Sequence, residues 1–164
     1  MSFTVFDTQR GFRALLAAMA EPGTVQPLPG GLALVLATLV DHEVLLAEVG
    51  DEHWERADFV VVRGGSSGGR LAAARRGTPL DPAAGATAIY ELAAVGAGPL
   101  VLSLTGPGVG AEPRLLRLGG LAGDEVELFQ RSRAGYPCGV DVILVDQARH
   151  CAALPRSTVL ERVA

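Results

Sequence analysis

The sequence predicts an α/β protein in which helices flank a mixed sheet. Three observations lead there. The chain has 164 residues, 49% of them hydrophobic, with a positive mean hydropathy. That is long and apolar enough to bury a core and too apolar for a disordered chain. Segments with apolar residues at helical spacing alternate with short β-branched runs, the pattern of helices layered on a sheet. The last third reads as a hairpin, which adds antiparallel pairing. No internal repeat or linker composition interrupts the chain, so residues 1–164 are expected to form one domain.

The elements follow in order. Asp7 is a suitable N-cap for a first helix. Phe12, Leu15, Leu16 and Met19 fall at i, i+3, i+4 and i+7 and predict one apolar stripe. Glu21-Pro22-Gly23 stops that helix. After a turn-rich connector from Pro27 to Gly31, Leu32 to Val40 fits a buried helix or a strand, and its length and alanines favour helix. Val44 to Val49 and Ala57 to Val62 read as strands, the second enriched in β-branched residues. Leu71 to Arg76 predicts a short helix, Asp81 to Gly85 a turn, Ala86 to Ala94 a strand. Leu100 to Thr105 is a further strand, ended by Gly106-Pro107-Gly108, and Leu121 to Arg133 a helix.

Pro137 and Gly139, in Tyr136-Pro137-Cys138-Gly139-Val140-Asp141, end that helix and start an extended segment. Apolar residues on both alternations from Val140 to Val145 predict a strand buried on most of both faces. Asp146 to His150 turns the chain, and Cys151 to Leu154 returns it as a second short strand. Pro155 ends this strand and leaves Arg156, Ser157 and Thr158 at its tip.

Composition excludes several classes. The net charge of −4 disfavours nucleic acid or an anionic membrane as partner. The chain contains no lysine, so all 14 cationic side chains are arginine. Schiff-base chemistry, a P-loop lysine and a lysine general base are therefore excluded. Cys138 and Cys151 form no CxxC pair and are expected as free thiols. No apolar run is long enough to span a bilayer. Asp7, Arg10 and Arg13 interrupt any signal-peptide core, which makes the cytoplasm the expected compartment.

Four patterns suggest chemistry. Gly64-Gly65-Ser66-Ser67-Gly68 matches G-x-S-x-G between a strand and a short helix, with Asp141 or Asp146 and His150 downstream. A small serine hydrolase using Ser66 is the enzyme alternative this supports. Five successive Gly and Ser residues also describe a flexible loop. Gly106-x-Gly108-x-x-Ala111 resembles a dinucleotide fingerprint, but Pro113 would break the helix that motif requires, so a tight turn is expected and no cofactor is assigned. The histidines and cysteines lack metal-ligand spacing, so no metal is assigned. Arg156, Ser157 and Thr158 can bind a phosphate or phosphonate, anchor a partner's carboxylate, or close a hydrogen-bonded turn. Arg13, on the first helix, is a second candidate for an anion or partner.

Several of these segments together resemble one family. Tyr136-Pro137-x-Gly139-Val140-Asp141 is close to F-P-x-G-I-D, and Pro155-Arg156-Ser157-Thr158 to P-R-T-T. Phe12-Arg13, Met19-Ala20 and Glu21-Pro22-Gly23 resemble its F-R…A-M-x-x-P-G opening. Pro82…Gly85-Ala86-Thr87 is similar to P-x-x-G-A-T, and Leu104 to Gly108 to L-x-G-P-G. The family is PhnH, a subunit of the bacterial carbon–phosphorus lyase system. Cys138 and Ser157 depart from its usual leucine-like residue and threonine, and the chain reads as shorter than a typical member between Gly23 and Pro82.

The resemblance implies a fold like the large domain of pyridoxal-phosphate-dependent transferases without the cofactor, and a homodimer in isolation. It implies a core complex with PhnG, PhnI and PhnJ. With PhnG, PhnI and PhnL the family supports replacement of the adenine of ATP by a phosphonate, giving a ribose 1-phosphonate 5-triphosphate. The residues show no convergent acid, base and nucleophile for such a substitution. The expectation is a structural and interface subunit.

Overall fold

The computed structural model describes residues 2–164. Helix α1 spans Val5–Ala20 and α2 Gly31–Leu39, with the two-residue strand β1 (Gln26–Pro27) between them. Strands β2 (Leu46–Glu48), β3 (Phe59–Arg63), β4 (Thr87–Leu92) and β5 (Ala94–Thr105) follow, then β6 (Arg114–Gly119) and α3 (Gly123–Ser132). The chain ends in β7 (Asp141–Asp146), β8 (His150–Leu154) and β9 (Val159–Arg162). No helix among the described residues is long and apolar enough to cross a membrane.

The strands form two sheets. The larger has the order β1-β8-β7-β4-β3-β2. Strands β2, β3, β4 and β7 run parallel, while β8 pairs antiparallel with β7 and with β1, so this sheet is mixed as expected. The smaller sheet, β6-β5-β9, is antiparallel throughout. The expectation of a single sheet is therefore corrected. β6 carries no β-branched residue and puts Arg114 and Arg117 among leucines, and β9 is only four residues long. Neither offers the sequence signal that marked β3 and β7.

The large sheet is the middle layer. On one face Val61, Ile89, Ile143, Val145 and Ala153 pack against Leu15 and Ala18 of α1 and Leu34 and Val35 of α2. On the other, Val60, Val62, Ala88, Tyr90, Val142 and Leu144 meet Leu102, Leu104, Leu116 and Leu118 of the small sheet and Phe129 of α3. Both alternations of β3, β4 and β7 are buried because both faces are covered, the pattern of parallel strands. The prediction for 140–145 holds for this reason.

Two local readings change. Thr4, not Asp7, caps α1: its hydroxyl accepts from the Asp7 N–H at 3.2 Å, while the Asp7 carboxylate accepts from the Thr4 N–H at 2.8 Å. This is a capping box with aspartate in the reciprocal position. The predicted stripe also divides. Leu15 is buried, but Phe12 and Leu16 are 52% and 57% exposed. The buried line of α1 is Gly11, Leu15 and Ala18, and small residues there let the two helices approach closely. A Cβ at Gly11 would lie 2.8 Å from Thr38 Oγ1 and 3.0 Å from Leu34 Cγ. The segment expected to be helical from Leu71 is a short 3-10 turn, Arg70–Ala73.

One ion pair ties the loops below the sheet. The Asp58 carboxylate accepts from the Leu45 N–H at 2.9 Å and from the Arg75 guanidinium, which also donates to the carbonyls of Ala84 and Arg56. These donors hold the Asp58 pKa below its ordinary 3.8, the Leu45 amide contributing most.

Two predictions follow from this packing. Gly11→Val should lower stability by about 1–3 kcal/mol through overpacking, read as a lower urea midpoint at unchanged slope. Because the folded-state pKa of Asp58 is depressed, its contribution is complete above 3.8 and disappears as pH falls through the lower folded value. Asp58→Asn should therefore melt below the wild type at neutral pH, and the two curves should converge in strong acid.

Candidate functional site

The chain crosses from the large sheet to the small one between Leu154 and Val159, and several of the sequence motifs meet at this crossing. The Thr158 N–H donates to the Pro155 carbonyl at 2.9 Å, closing a turn. Arg156 lies inside it. Its backbone N–H donates to Asp141 Oδ1 at 2.7 Å, its Nε to the same oxygen at 3.2 Å and its Nη2 to Oδ2 at 3.1 Å. Its Nη1 donates to the Pro82 carbonyl at 2.6 Å. Arg156 of the Pro-Arg-Ser-Thr segment, Asp141 of the Pro-x-Gly-Val-Asp segment and Pro82 of the Pro-x-x-Gly-Ala-Thr segment are thus one hydrogen-bonded unit. Gly85 permits the approach, because a Cβ there would lie 2.7 Å from Arg156 Nη1 and collide with the Gly139 carbonyl.

Of the sequence-stated roles for Arg156, this geometry displays the hydrogen-bonded turn. The guanidinium is already bidentate on Asp141, and side-chain exposures of 14% and 20% keep water largely away from the pair. Ser157 is half-buried beside it. Thr158 is 1% exposed, and its Oγ1 has no hydrogen-bond partner among the described residues. Arg13 is not part of this unit. It is exposed on α1 and lines a groove with Arg10, Gln26 and Pro29.

Sequence reading missed Arg133. It follows the last turn of α3 and is 8% exposed. Its guanidinium donates only to carbonyls: Phe129 at 3.0 Å, Pro155 at 2.7 Å, Thr158 at 3.1 Å and Leu154 at 3.3 Å. Burial lowers its pKa to about 10, with Asp141 opposing and Arg156 reinforcing the shift, so it stays charged at neutral pH. The available signal was a cation just past a helix C-terminus, where carbonyls lack helical partners.

Arg133, Arg156, Ser157 and Thr158 share a cleft of about 370 Å³ with Gln130, Tyr136 and Leu160. A second cleft, of about 430 Å³, opens at the carboxyl ends of β3, β4 and β7. That edge is where ligands bind in many open parallel sheets. Here Arg63 is engaged with Glu48 at 2.9 Å and Glu91 at 3.7 Å.

The serine pattern is not assembled as a triad. Ser66 is exposed and its Oγ accepts from the Gly68 N–H at 3.2 Å. Its neighbour Ser67 is the buried one, donating through Oγ and N–H to Glu125 Oε1 at 2.8 and 2.7 Å. Tyr90 donates to Glu125 Oε2 at 2.6 Å, and its ring meets Phe129 edge-on at 5.1 Å. Burial, with Glu125 adding to it, pushes the Tyr90 pKa far above the ordinary tyrosine value. His150 contacts Asp146 at 3.4 Å, and Asp141 belongs to Arg156. The loop is therefore anchored by Ser67 rather than arranged around a nucleophilic Ser66. Gly106 to Ala111 joins β5 to β6 as a turn, not a helix start. Among the described residues no cluster of His, Cys, Asp and Glu could hold a metal ion.

Fold and site define an α/β protein whose sequence motifs converge to fix one inter-sheet loop. Residues 1–53 and 47–161 match the family described as bacterial phosphonate metabolism protein (PhnH), and the chain belongs to that family. The two matched pieces overlap at residues 47–53. No curated protein matches the chain. Family membership assigns the chain to phosphonate metabolism.

Arg156→Ala should cost about 3–5 kcal/mol, because it leaves Asp141 and the Pro82 carbonyl without their donor. Arg156→Lys should recover only part of this, since an ammonium cannot reproduce the bidentate contact. Denaturant unfolding of the three proteins measures both.

Proposed function

We propose that this chain is a subunit of the carbon–phosphorus lyase core complex, assembling with homologues of PhnG, PhnI and PhnJ in the cytoplasm. In this reading it supports formation of a ribose 1-phosphonate 5-triphosphate from ATP and a phosphonate, and its own role is structural. The observation that carries the proposal is the family match over residues 1–53 and 47–161. The likeness to pyridoxal-phosphate transferases stays part of the proposal, and a chain without lysine is compatible with it.

Two features of the molecule support an interface role. The groups that suggested chemistry are engaged in holding loops: Arg156 on Asp141, Ser67 on Glu125, His150 on Asp146. Meanwhile α1 presents Val5, Phe6, Phe12 and Leu16 at 52–71% exposure. Large apolar residues left in water on one helix suit burial against another subunit or a second copy.

Co-expression of the tagged chain with the three homologues, followed by pull-down and native mass measurement, tests the proposal. A stoichiometric complex is expected, with a homodimer for the chain alone. Phe12→Glu combined with Leu16→Glu should weaken assembly while leaving the melting temperature nearly unchanged, because both side chains are already hydrated. A chain that stays free of all three homologues would remove the subunit reading.

A further inference from the structure

Each sheet has two outer strands, β1 and β2 in the large sheet and β6 and β9 in the small one. An outer strand leaves a row of backbone N–H and C=O groups without a ladder partner, and native proteins shield such rows. On β1, β2 and β9 the shielding is visible. β1 is two residues long and ends in Pro27. On β2 the His53 ring meets the Leu46 carbonyl at 2.8 Å, and the Asp51 carboxylate accepts from the Glu48 N–H at 2.7 Å. On β9 Gln130 of α3 donates through Nε2 to the Leu160 carbonyl at 2.9 Å.

β6 has no such device. It runs for six residues without proline, and the irregularity in its pairing lies on β5, between Val95 and Leu100. The direction of its backbone groups follows from β5. The Val101 N–H donates to the Ala164 carbonyl at 3.1 Å, and the Val101 carbonyl accepts from the Val163 N–H at 2.9 Å. Val101 therefore turns its backbone groups toward the C-terminal strand, and Leu100, Leu102 and Leu104 turn theirs toward β6. The residues opposite these three, Leu118, Leu116 and Arg114, face back to β5. The N–H and C=O groups of Leu115 and Arg117 point to the bare side of β6, and among the described residues they bond to nothing outside the sheet. The side chains of the same two residues stand on the outer face. Leu115 is 61% exposed, and Arg117 is exposed and in no ion pair among the described residues.

A second copy fits this edge poorly. Antiparallel pairing of β6 with itself sets Leu115 or Arg117 against one of the same two residues, or against Pro113 or Gly119. Arg117 against Arg117 places like charges directly opposite. Leu115 against Arg117 brings the two guanidiniums to diagonal positions on one face, and β6 carries no carboxylate to separate them. Leu115 against Leu115 leaves Arg117 facing Pro113, which has no N–H to return. A strand with a carboxylate opposite Arg117 and an aliphatic side chain opposite Leu115 meets all of these groups at once.

We propose that β6 is a docking edge for an extended acidic segment of another subunit, which adds a fourth antiparallel strand to the small sheet. Backbone bonds to Leu115 and Arg117 hold the segment, and Arg117 selects the carboxylate two residues from an aliphatic side chain. The source of the segment rests on the subunit reading; the bare edge does not. This edge belongs to the layer opposite α1, so it is a second surface and not an extension of the first.

Amide hydrogen exchange of the full chain, alone and in the complex co-expressed with the PhnG, PhnI and PhnJ homologues, tests this. Alone, the Leu115 and Arg117 amides should exchange much faster than those of Leu116 and Leu118, which bond to β5. In the complex both should slow by about tenfold or more, as newly paired strand amides do. Arg117→Glu should weaken assembly about tenfold through like-charge repulsion. Leu115→Pro removes one outward N–H and none of the bonds to β5, so it should weaken assembly with little change in melting temperature. Unchanged exchange at both amides in an assembled complex, or wild-type assembly of both variants, would overturn the docking edge and leave the subunit reading intact. Slowing in the free chain that grows with its concentration would assign the edge to a second copy and overturn the acidic partner. Failure to form any complex would remove both readings.

Discussion

The passage of the chain from one sheet to the other depends on a single buried cation. Between Leu154 and Val159 the backbone leaves β8 and enters β9, and in doing so turns several carbonyls inward. Buried carbonyls need donors. Arg133 supplies them to Leu154, Pro155 and Thr158 together, and also holds the Phe129 carbonyl near the end of α3. One side chain therefore fixes α3, the end of the large sheet and the start of the small sheet relative to one another. A lysine could not do this, because its ammonium lacks the planar fork that reaches several carbonyls in different directions.

Asp141 and Arg156 complete the crossing from the other side. Asp141 opens β7, the strand that lies between parallel β4 and antiparallel β8. Its carboxylate meets the loop that follows β8, and the guanidinium it holds reaches across to Pro82 ahead of β4. The beginnings of β4 and β7 and the end of β8 are thereby joined. On the far side of α3, Glu125 fulfils a comparable task for the glycine-rich loop after β3. Its carboxylate gathers Ser67 and Tyr90 beneath the helix. The buried polar groups of this protein act mainly as loop anchors.

Much of the central architecture was legible in the sequence. The double alternation at 140–145 announced a strand covered on both faces, and Pro22-Gly23 marked the end of the first helix. The turn at Gly106 to Gly108 was read correctly because Pro113 forbids the competing helix. What escaped was set by packing. Phe12 and Leu16 share helical spacing with Leu15, yet only Leu15 faces the sheet, because Gly11 and Ala18 determine which line of α1 comes close to α2. Ser66 fits a nucleophile pattern, but the serine that matters to the structure is Ser67, which the position of Glu125 selects. β6 and β9 lack β-branched periodicity and exist as strands because β5 lies between them.

By itself the sequence determined the class of fold, the order of most elements and the exclusion of lysine chemistry, because these depend on composition and short-range periodicity. It also supplied the motifs by which the family is recognised. Only the tertiary structure decided what those motifs do. Pro82, Asp141 and Arg156 are separated by long stretches of chain, and nothing local specifies that one guanidinium should join them. Arg133 carries no motif at all. Its importance arises from burial and from the carbonyls that two sheets and a helix direct at the same point, a constraint that exists only once those elements have packed.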